Sequence, residues 1–417
     1  MKKLFLVTET FPYGTAEKTF ILPELPELLK YYDVTIISHA SETVVNDIEN
    51  ISVLPPEVKI VNLDIKMPRY RQIKYFIRFF LDRDGLKETK EILKSRKNIL
   101  QRLYQSIGFY GLAMENFRLM DSMSLLVKDE EAIYYSYWYF YYTYSVTKNR
   151  KLFPNMKLIT RTHGFDLYDE RYTGTRQPFK RIMDKNIDRI FFISQQGKGY
   201  YLNRYNITDC EKYIVSRLGT MRTGDLSDTG RRENEKFRLV SCSSVIPLKR
   251  VDLIAQALYE LTDEIEWIHF GSGSEFNRLV EQADELLKSR CNISYQFKGF
   301  VSNRQILEYY STNYVDCFIS TSSSEGIPIS IQEAMSFGIP IIATAVGGVP
   351  ELIENNGILM NANPSREEVS NAISRMLHLN RHEYEFLREQ SFRIWQERYN
   401  AEVNRVKFVC AINKLYN

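Results

Sequence analysis

Two glutamates, Glu325 and Glu333, stand with seven residues between them in the run S-S-S-E-G-I-P-I-S-I-Q-E. A helix start between them would offer unpaired N–H groups and partial positive charge to an anion such as a phosphate. One acid in the loop and one on the helix could then grip hydroxyls on either side of that phosphate. No His or Cys is grouped with the pair, so neither spacing nor residue type suits a metal cluster. A plainer reading stays open: a helix capped by Ser324 or Glu325, with Glu333 solvated. Lys249, in S-S-V-I-P-L-K-R-V-D, follows a strand and could neutralise a diphosphate, or be an ordinary surface lysine. His163 follows the strand expected over 158–162, in H-G-F-D-L-Y. A His just past a strand's C-terminal end is well placed for a ligand, although a lone His is commonly structural.

These residues need elements to position them. Residues 317–320 read as a strand, 321–326 as a small-residue loop, and Pro328 as a first helical position, where its missing N–H costs nothing. The helix continues over 331–337, Gly338 suits a left-handed cap, and 340–344 is the next strand. That is one βαβ turn with its loop at the strand's C-terminal end, where open α/β sheets bind ligands. The N-terminal half begins the same way: strand 4–8, a loop 9–18 containing Gly14 and Thr15, helix 19–31 and strand 34–38. This is the opening of a doubly wound α/β domain. No G-x-G-x-x-G is present, so a dinucleotide site has little support. Strand 189–194 ends at Ser194, which begins an S-Q-Q-G loop expected to face the cleft. A second doubly wound domain starts at 237, with a turn at Gly271 and an exit loop at Val301. Residues 220–236, almost without apolar side chains, mark the boundary.

The stretch from Glu325 to Glu351, with its two glutamates, G-I-P strand and G-G-V-P-E loop, closely resembles the signature of the retaining glycosyltransferases of GT-B fold, glycosyl transferases group 1. The resemblance is strong over 237–354 and patchy before it. It implies two Rossmann-like domains facing a central cleft: 1–219 on the acceptor side, a linker 220–236, 237–399 binding the nucleotide sugar, and a last helix, 400–417, crossing back to the first domain. It implies a sugar moved from a nucleotide diphosphate, UDP or GDP, to a saccharide or lipid-linked hydroxyl, with no metal or other cofactor. Glu325 and Lys249 would be catalytic, with His163 beside the donor sugar. Glu333 would bind the ribose, and Ser244, Gly326, Ile327, Pro328, Gly271 and Val301 would line the donor site. Gly14, Thr15 and Ser194 would face the cleft or the acceptor. The family commonly has an Arg five residues before Lys249; Ser244 stands there instead. Either Arg250 substitutes or Ser244 hydrogen-bonds the phosphate with less charge.

At 417 residues the chain can form two domains, each with its own core. Its 44% hydrophobic and 26% charged composition is that of a globular protein, and a net charge of +3 is too mild to suggest nucleic acid. Five cysteines without paired spacing point to a reducing, cytoplasmic setting. The first apolar run is too short for a signal peptide and reads as a buried strand. Residues 66–102 carry twelve Lys and Arg against four acids, with aromatics and aliphatics interleaved. Such a segment suits an anionic membrane surface or a packed helix pair with a solvated charged face. The tyrosine-rich run 133–144 is either core or a surface for stacking sugars. Two rival functions stand beside transfer: a sugar-nucleotide epimerase of the same fold, and a nucleotide-sugar-binding protein with weakened catalysis.

Overall fold

A computed structural model describes residues 1–15, 17–47, 51–127, 131–172, 176–224 and 236–416. Most of the expected linker, 225–235, lies outside the described residues. The chain divides into two compact units, Met1–Ser216 with Arg405–Asn417, and Arg217–Asn404.

The first unit runs β1 (Lys2–Thr8), α1 (Lys18–Leu29), β2 (Tyr32–Ser38), a single-turn α2 (Glu42–Val45) and β3 (Lys59–Asn62). Three helices follow, α3 (Arg69–Leu81), α4 (Arg83–Ser95) and α5 (Ile99–Ser122). Then come β4 (Ala132–Ser136), α6 (Tyr141–Lys148), β5 (Met156–Thr162), α7 (Lys180–Asp184), β6 (Arg189–Phe192), α8 (Gln195–Tyr205) and β7 (Tyr213–Val215). The seven strands form one parallel sheet in the order β3-β2-β1-β4-β5-β6-β7. Strands buried on both faces need continuous apolar runs, and Leu4–Val7 and Ala132–Tyr135 supply them. Strand order reverses between β1 and β4, which opens a crevice at their C-terminal ends.

The tyrosine-rich run is mostly core. Tyr135, Tyr137, Tyr139 and Tyr144 are buried, while Trp138 and Phe140 are only partly covered. Residues 405–416 close this unit: Phe408, Val409 and Ile412 are buried with β1 and β2. The Arg161 guanidinium, paired with Glu24 at 2.7 Å, sits 4.0 Å from the Phe408 ring.

The second unit runs β8 (Phe237–Cys242), α9 (Asp252–Tyr259), β9 (Ile265–Phe270), α10 (Phe276–Leu287), β10 (Ile293–Phe297), α11 (Asn303–Thr312) and β11 (Cys317–Ser320). It continues with α12 (Ile329–Ser336), β12 (Ile341–Thr344), β13 (Gly357–Met360), α13 (Arg366–Leu377) and α14 (Arg381–Ile394). The helix α15 (Ala401–Asn413) begins in this unit and ends in the first. Six strands pair in parallel, in the order β10-β9-β8-β11-β12-β13. The reversal here falls between β8 and β11, the strands that precede Lys249 and Glu325. Pro328 is not the first helical residue. Its ψ of 126° is extended, so it occupies the N-cap and the helix starts at Ile329. The cap is half outside the helix, and a missing N–H costs nothing there either. Gly338 does take the left-handed conformation, with φ +67°.

Candidate active site

The loops after β8 and β11 are sewn to each other. Both the N–H and the hydroxyl of Ser323 donate to the Leu248 carbonyl, at 2.8 and 3.0 Å. The Thr321 hydroxyl donates to the Arg250 carbonyl at 2.8 Å. Arg250 returns the contact, donating to the carbonyls of Thr321 (2.7 Å), Ser322 (3.1 Å) and Ala362 (2.9 Å) and to the Asn363 side chain (2.6 Å). Its guanidinium is therefore a structural clamp, and it does not supply the charge that Ser244 lacks. Lys249 stands beside it, on the loop after β8. Its ammonium lies 2.5 Å from a Glu325 carboxylate oxygen, both side chains being largely covered. Ser244 is exposed on the same loop.

A third loop holds Glu325 from the other side. Gly347 has φ +53°, and a Cβ there would stand 1.9 Å from the Glu325 carbonyl oxygen. The Gly348 N–H donates to the Gly326 carbonyl at 2.7 Å. The G-G pair thus exists so that one backbone can lie on another. Gly271 does the same for the loop after β8: with φ +137°, its Cβ would meet the Ser243 carbonyl oxygen at 1.9 Å. Space above Gly326 is open, with no atom within 4 Å of a Cβ built there. Ile327 and Val301 are partly buried against the core beneath.

Glu333, on α12, is buried, and the Asn303 side-chain amide donates to its carboxylate. Burial raises its pKa to about 7, with the Asn303 bond pulling the other way. A carboxyl that is half-ionised near neutrality and shielded from water is a strong acceptor for a hydroxyl that reaches it.

The first unit has its own constellation at its strand-order reversal. Glu17 gathers the N–H groups of Glu9 (3.0 Å), Thr10 (2.8 Å) and Phe11 (2.8 Å) and the Trp138 indole N–H (2.6 Å). Asp166 accepts from the N–H groups of His163 (2.6 Å) and Tyr139 (2.7 Å). Burial opposes ionisation of Asp166, but His163, Lys180 and the Tyr139 N–H outweigh it and hold its pKa below the usual value. The His163 ring lies against Trp138 and Tyr137, with centroids 4.3 and 4.8 Å away. Its Nδ1 lies 3.8 Å from an Asp166 carboxylate oxygen, beyond hydrogen-bond distance, and Nε2 is buried without a hydrogen-bond partner among the described residues. A cavity of about 350 Å³ adjoins this group, bounded by Glu9, Thr10, Trp138, Phe140, Tyr142 and Phe165. Glu9 as a whole residue is exposed at the rim. Its carboxyl nonetheless sits against the cavity wall, and desolvation followed by the Glu17 charge raises its pKa to about 7. Aromatic walls with carboxylates at the rim suit a sugar, which offers an apolar face and a ring of hydroxyls. Gly14 and Thr15 lie further along the loop after β1. Ser194 is occupied as the cap of α8, accepting from the Gly197 N–H at 2.9 Å.

Among the described residues no group of three His, Cys, Asp or Glu could hold a metal ion, and no helix is long and apolar enough to cross a membrane.

Residues 225–391 match the family model of glycosyl transferases group 1. The match takes in less than half of the chain. The group 1 segment contains Lys249, Glu325, Glu333 and the G-G loop. The chain is 24% identical over 223 residues to the putative colanic acid biosynthesis glycosyltransferase WcaL of Escherichia coli K12, covering 50% of this chain and 53% of that protein. It is 34% identical over 123 residues to the O-antigen biosynthesis glycosyltransferase WbnH of Escherichia coli, covering 30% and 31%. The chain thus spans about half the length of the first relative and about a third of the second. The crystal structure of Anabaena HepE in complex with UDP aligns with 99% of this chain and 100% of its own, with a TM-score of 0.65 at 15% identity. The fold is accordingly of the GT-B type, with two parallel-sheet Rossmann-like domains.

In the group 1 segment the sequence pattern led directly to Glu325, Glu333 and Lys249. It missed Asn303, although Ser302 and Gln305 marked a capped helix start just after the exit loop. It also missed Glu9, Glu17, Trp138 and Asp166. No single motif joins them; the pairing of β1 with β4 and of β4 with β5 brings them together.

Proposed function

We propose that this protein is a retaining glycosyltransferase that moves a sugar from a UDP- or GDP-sugar to a hydroxyl of a saccharide or lipid-linked acceptor, in cell-envelope or extracellular polysaccharide assembly. The observation that carries the proposal is the convergence of Lys249, Glu325 and Glu333 at the strand-order reversal of the second sheet. Known relatives work in colanic acid and O-antigen biosynthesis, and HepE binds UDP, which supports both the class and a nucleotide diphosphate as donor.

In this reading Glu333 accepts hydrogen bonds from the ribose, Glu325 holds hydroxyls of the donor sugar, and Lys249 and the amides leading into α12 receive the diphosphate. The bond between the anomeric carbon and the diphosphate oxygen breaks on the face where the acceptor oxygen enters. The departing phosphate takes the acceptor's proton, so configuration is kept. Charge that develops on the diphosphate is met by groups already in place, where such stabilisation is most effective. The cavity at Glu9, Trp138 and Phe140 takes the acceptor sugar, and His163 offers its ring nitrogens to a hydroxyl. The chemistry calls for no metal.

A panel of nucleotide sugars scored by thermal shift, followed by NMR of the product's anomeric proton, tests this reading. One donor should stabilise the protein and yield product of the donor's own configuration. An inverted product, or stabilisation by none of the panel, would contradict it.

A further inference from the structure

The helix α3 has two apolar faces, and only one of them is used. Tyr75 and Phe79 are its buried residues. They pack inward, Phe79 edge-on to Tyr110 and Tyr75 donating to Glu115 at 2.9 Å. Ile73, Phe76, Ile77 and Phe80 follow at i, i+3, i+4 and i+7, a single stripe on another side of the helix. They are 38–61% exposed, and Leu81 at the end of the helix is 78% exposed. Single exposed apolar residues are ordinary; a contiguous stripe of large ones on a folded helix marks a binding surface.

The charges beside the stripe define its partner. The helix R-Y-R-Q-I-K-Y-F-I-R-F-F-L carries four cations and no acid. Arg71 is turned inward to an ion pair with Glu115, whereas Arg69, Lys74 and Arg78 are exposed. Three acids of the helix that follows are occupied within the unit. Lys148 lies 2.7 Å from Asp82 and 3.3 Å from Asp84, and Glu88 is buried against Arg176. The surface is thus an apolar stripe edged by cations, on a helix that carries no acid of its own.

We infer that α3 is a membrane-docking helix, laid in the interface of an anionic lipid bilayer. Ile73, Phe76, Ile77 and Phe80 enter the boundary between headgroups and acyl chains, and Arg69, Lys74 and Arg78 meet anionic headgroups. A second copy of this chain is a poorer occupant, because pairing α3 with itself brings cation to cation, and like-charge juxtaposition opposes association. The helix is about 20 Å long, enough for reversible attachment and far short of insertion.

The test is cosedimentation of the 417-residue chain with vesicles at ~0.15 M salt, where weak surface electrostatics are already screened. Vesicles of phosphatidylcholine alone are compared with vesicles that also contain phosphatidylglycerol. Two variants are run alongside: R69E/K74E/R78E, and I73S/I77S. Arg71 is left intact because of its pair with Glu115. Wild type should sediment with the anionic vesicles and not the neutral ones. Each exposed cation contributes about fivefold to partitioning, so the charge variant should lose about a hundredfold or more. The serine variant should lose tenfold or more, and both should keep the wild-type melting temperature. No binding to anionic vesicles, equal binding to neutral ones, or unaltered binding by folded variants would overturn the inference. So would a dimer in light scattering that the serine variant abolishes, since that would assign the stripe to self-association. The readout is binding alone, so it is independent of whether the protein transfers sugar.

Discussion

A Cβ placed on Gly347 would stand 1.9 Å from the carbonyl oxygen of Glu325. The obstacle is backbone, so no side-chain rotation can relieve it, and φ +53° at Gly347 adds strain for any other residue. The Gly347→Ala variant should therefore displace the loop that presents Glu325, lowering the melting temperature and donor affinity together. Gly326→Ala, whose Cβ would meet open space, should leave the melting temperature close to wild type. Differential scanning fluorimetry of the two variants checks this, and equal effects would contradict it.

Lys249 and Arg250 are adjacent cations with different work. Arg250 is spent on carbonyls of the loops after β11 and β13, so Arg250→Ala should reduce stability. Lys249 faces Glu325, and Lys249→Ala should cut nucleotide release by about a hundredfold or more, the range seen when one preorganised donor is removed. Melting temperatures set beside turnover for each variant decide the matter. Similar losses of turnover at unchanged stability in both would refute the division.

The buried Glu333 carboxyl should leave a pH signature. Its pKa in the folded protein is about 7, against an ordinary value of 4.5. Below about 4.5 both states hold the proton and Glu333 has no effect on the pH dependence. Between about 4.5 and about 7 the unfolded chain ionises first, so stability falls as pH rises, and the loss levels off above about 7. Glu333→Gln removes this slope. The difference in melting temperature between wild type and variant should therefore change across that window and be flat above it. A constant difference from pH 4 to 8 would show that Glu333 is not shifted.

How much of this could be read from the residues depends on how far apart they lie in the chain. Glu325, Gly326 and Glu333 occupy one strand-loop-helix turn, and local spacing carries them. Lys249 lies 76 positions from Glu325, and it was legible because its loop repeats the same strand-end logic. The first-unit constellation was not. The Trp138 indole reaches Glu17 across 121 positions, and only strand pairing tells which loops become neighbours. Pro328 was misplaced by one position because Pro suits both an N-cap and a first turn, and only ψ separates them. The double apolar character of α3 was half legible. Periodicity gave an amphipathic helix, but which side faces the core was fixed by α5.

Transfer should survive a strong chelator. The charge on the departing diphosphate is assigned to Lys249 and backbone N–H groups, so dialysis against EDTA should leave turnover unchanged. Complete loss, restored by adding a divalent cation, would contradict the assignment.

The most direct test is titration calorimetry of the free nucleoside diphosphate, paired with turnover, for Glu333→Ala and Glu325→Ala. A ribose hydroxyl that loses its charged acceptor loses about 1.5–3 kcal/mol. Glu333→Ala should therefore bind the nucleotide about ten- to a hundred-fold more weakly. Glu325→Ala should bind it nearly as wild type does while losing most transfer. Undiminished nucleotide affinity in Glu333→Ala, or surviving transfer in Glu325→Ala, would contradict the account.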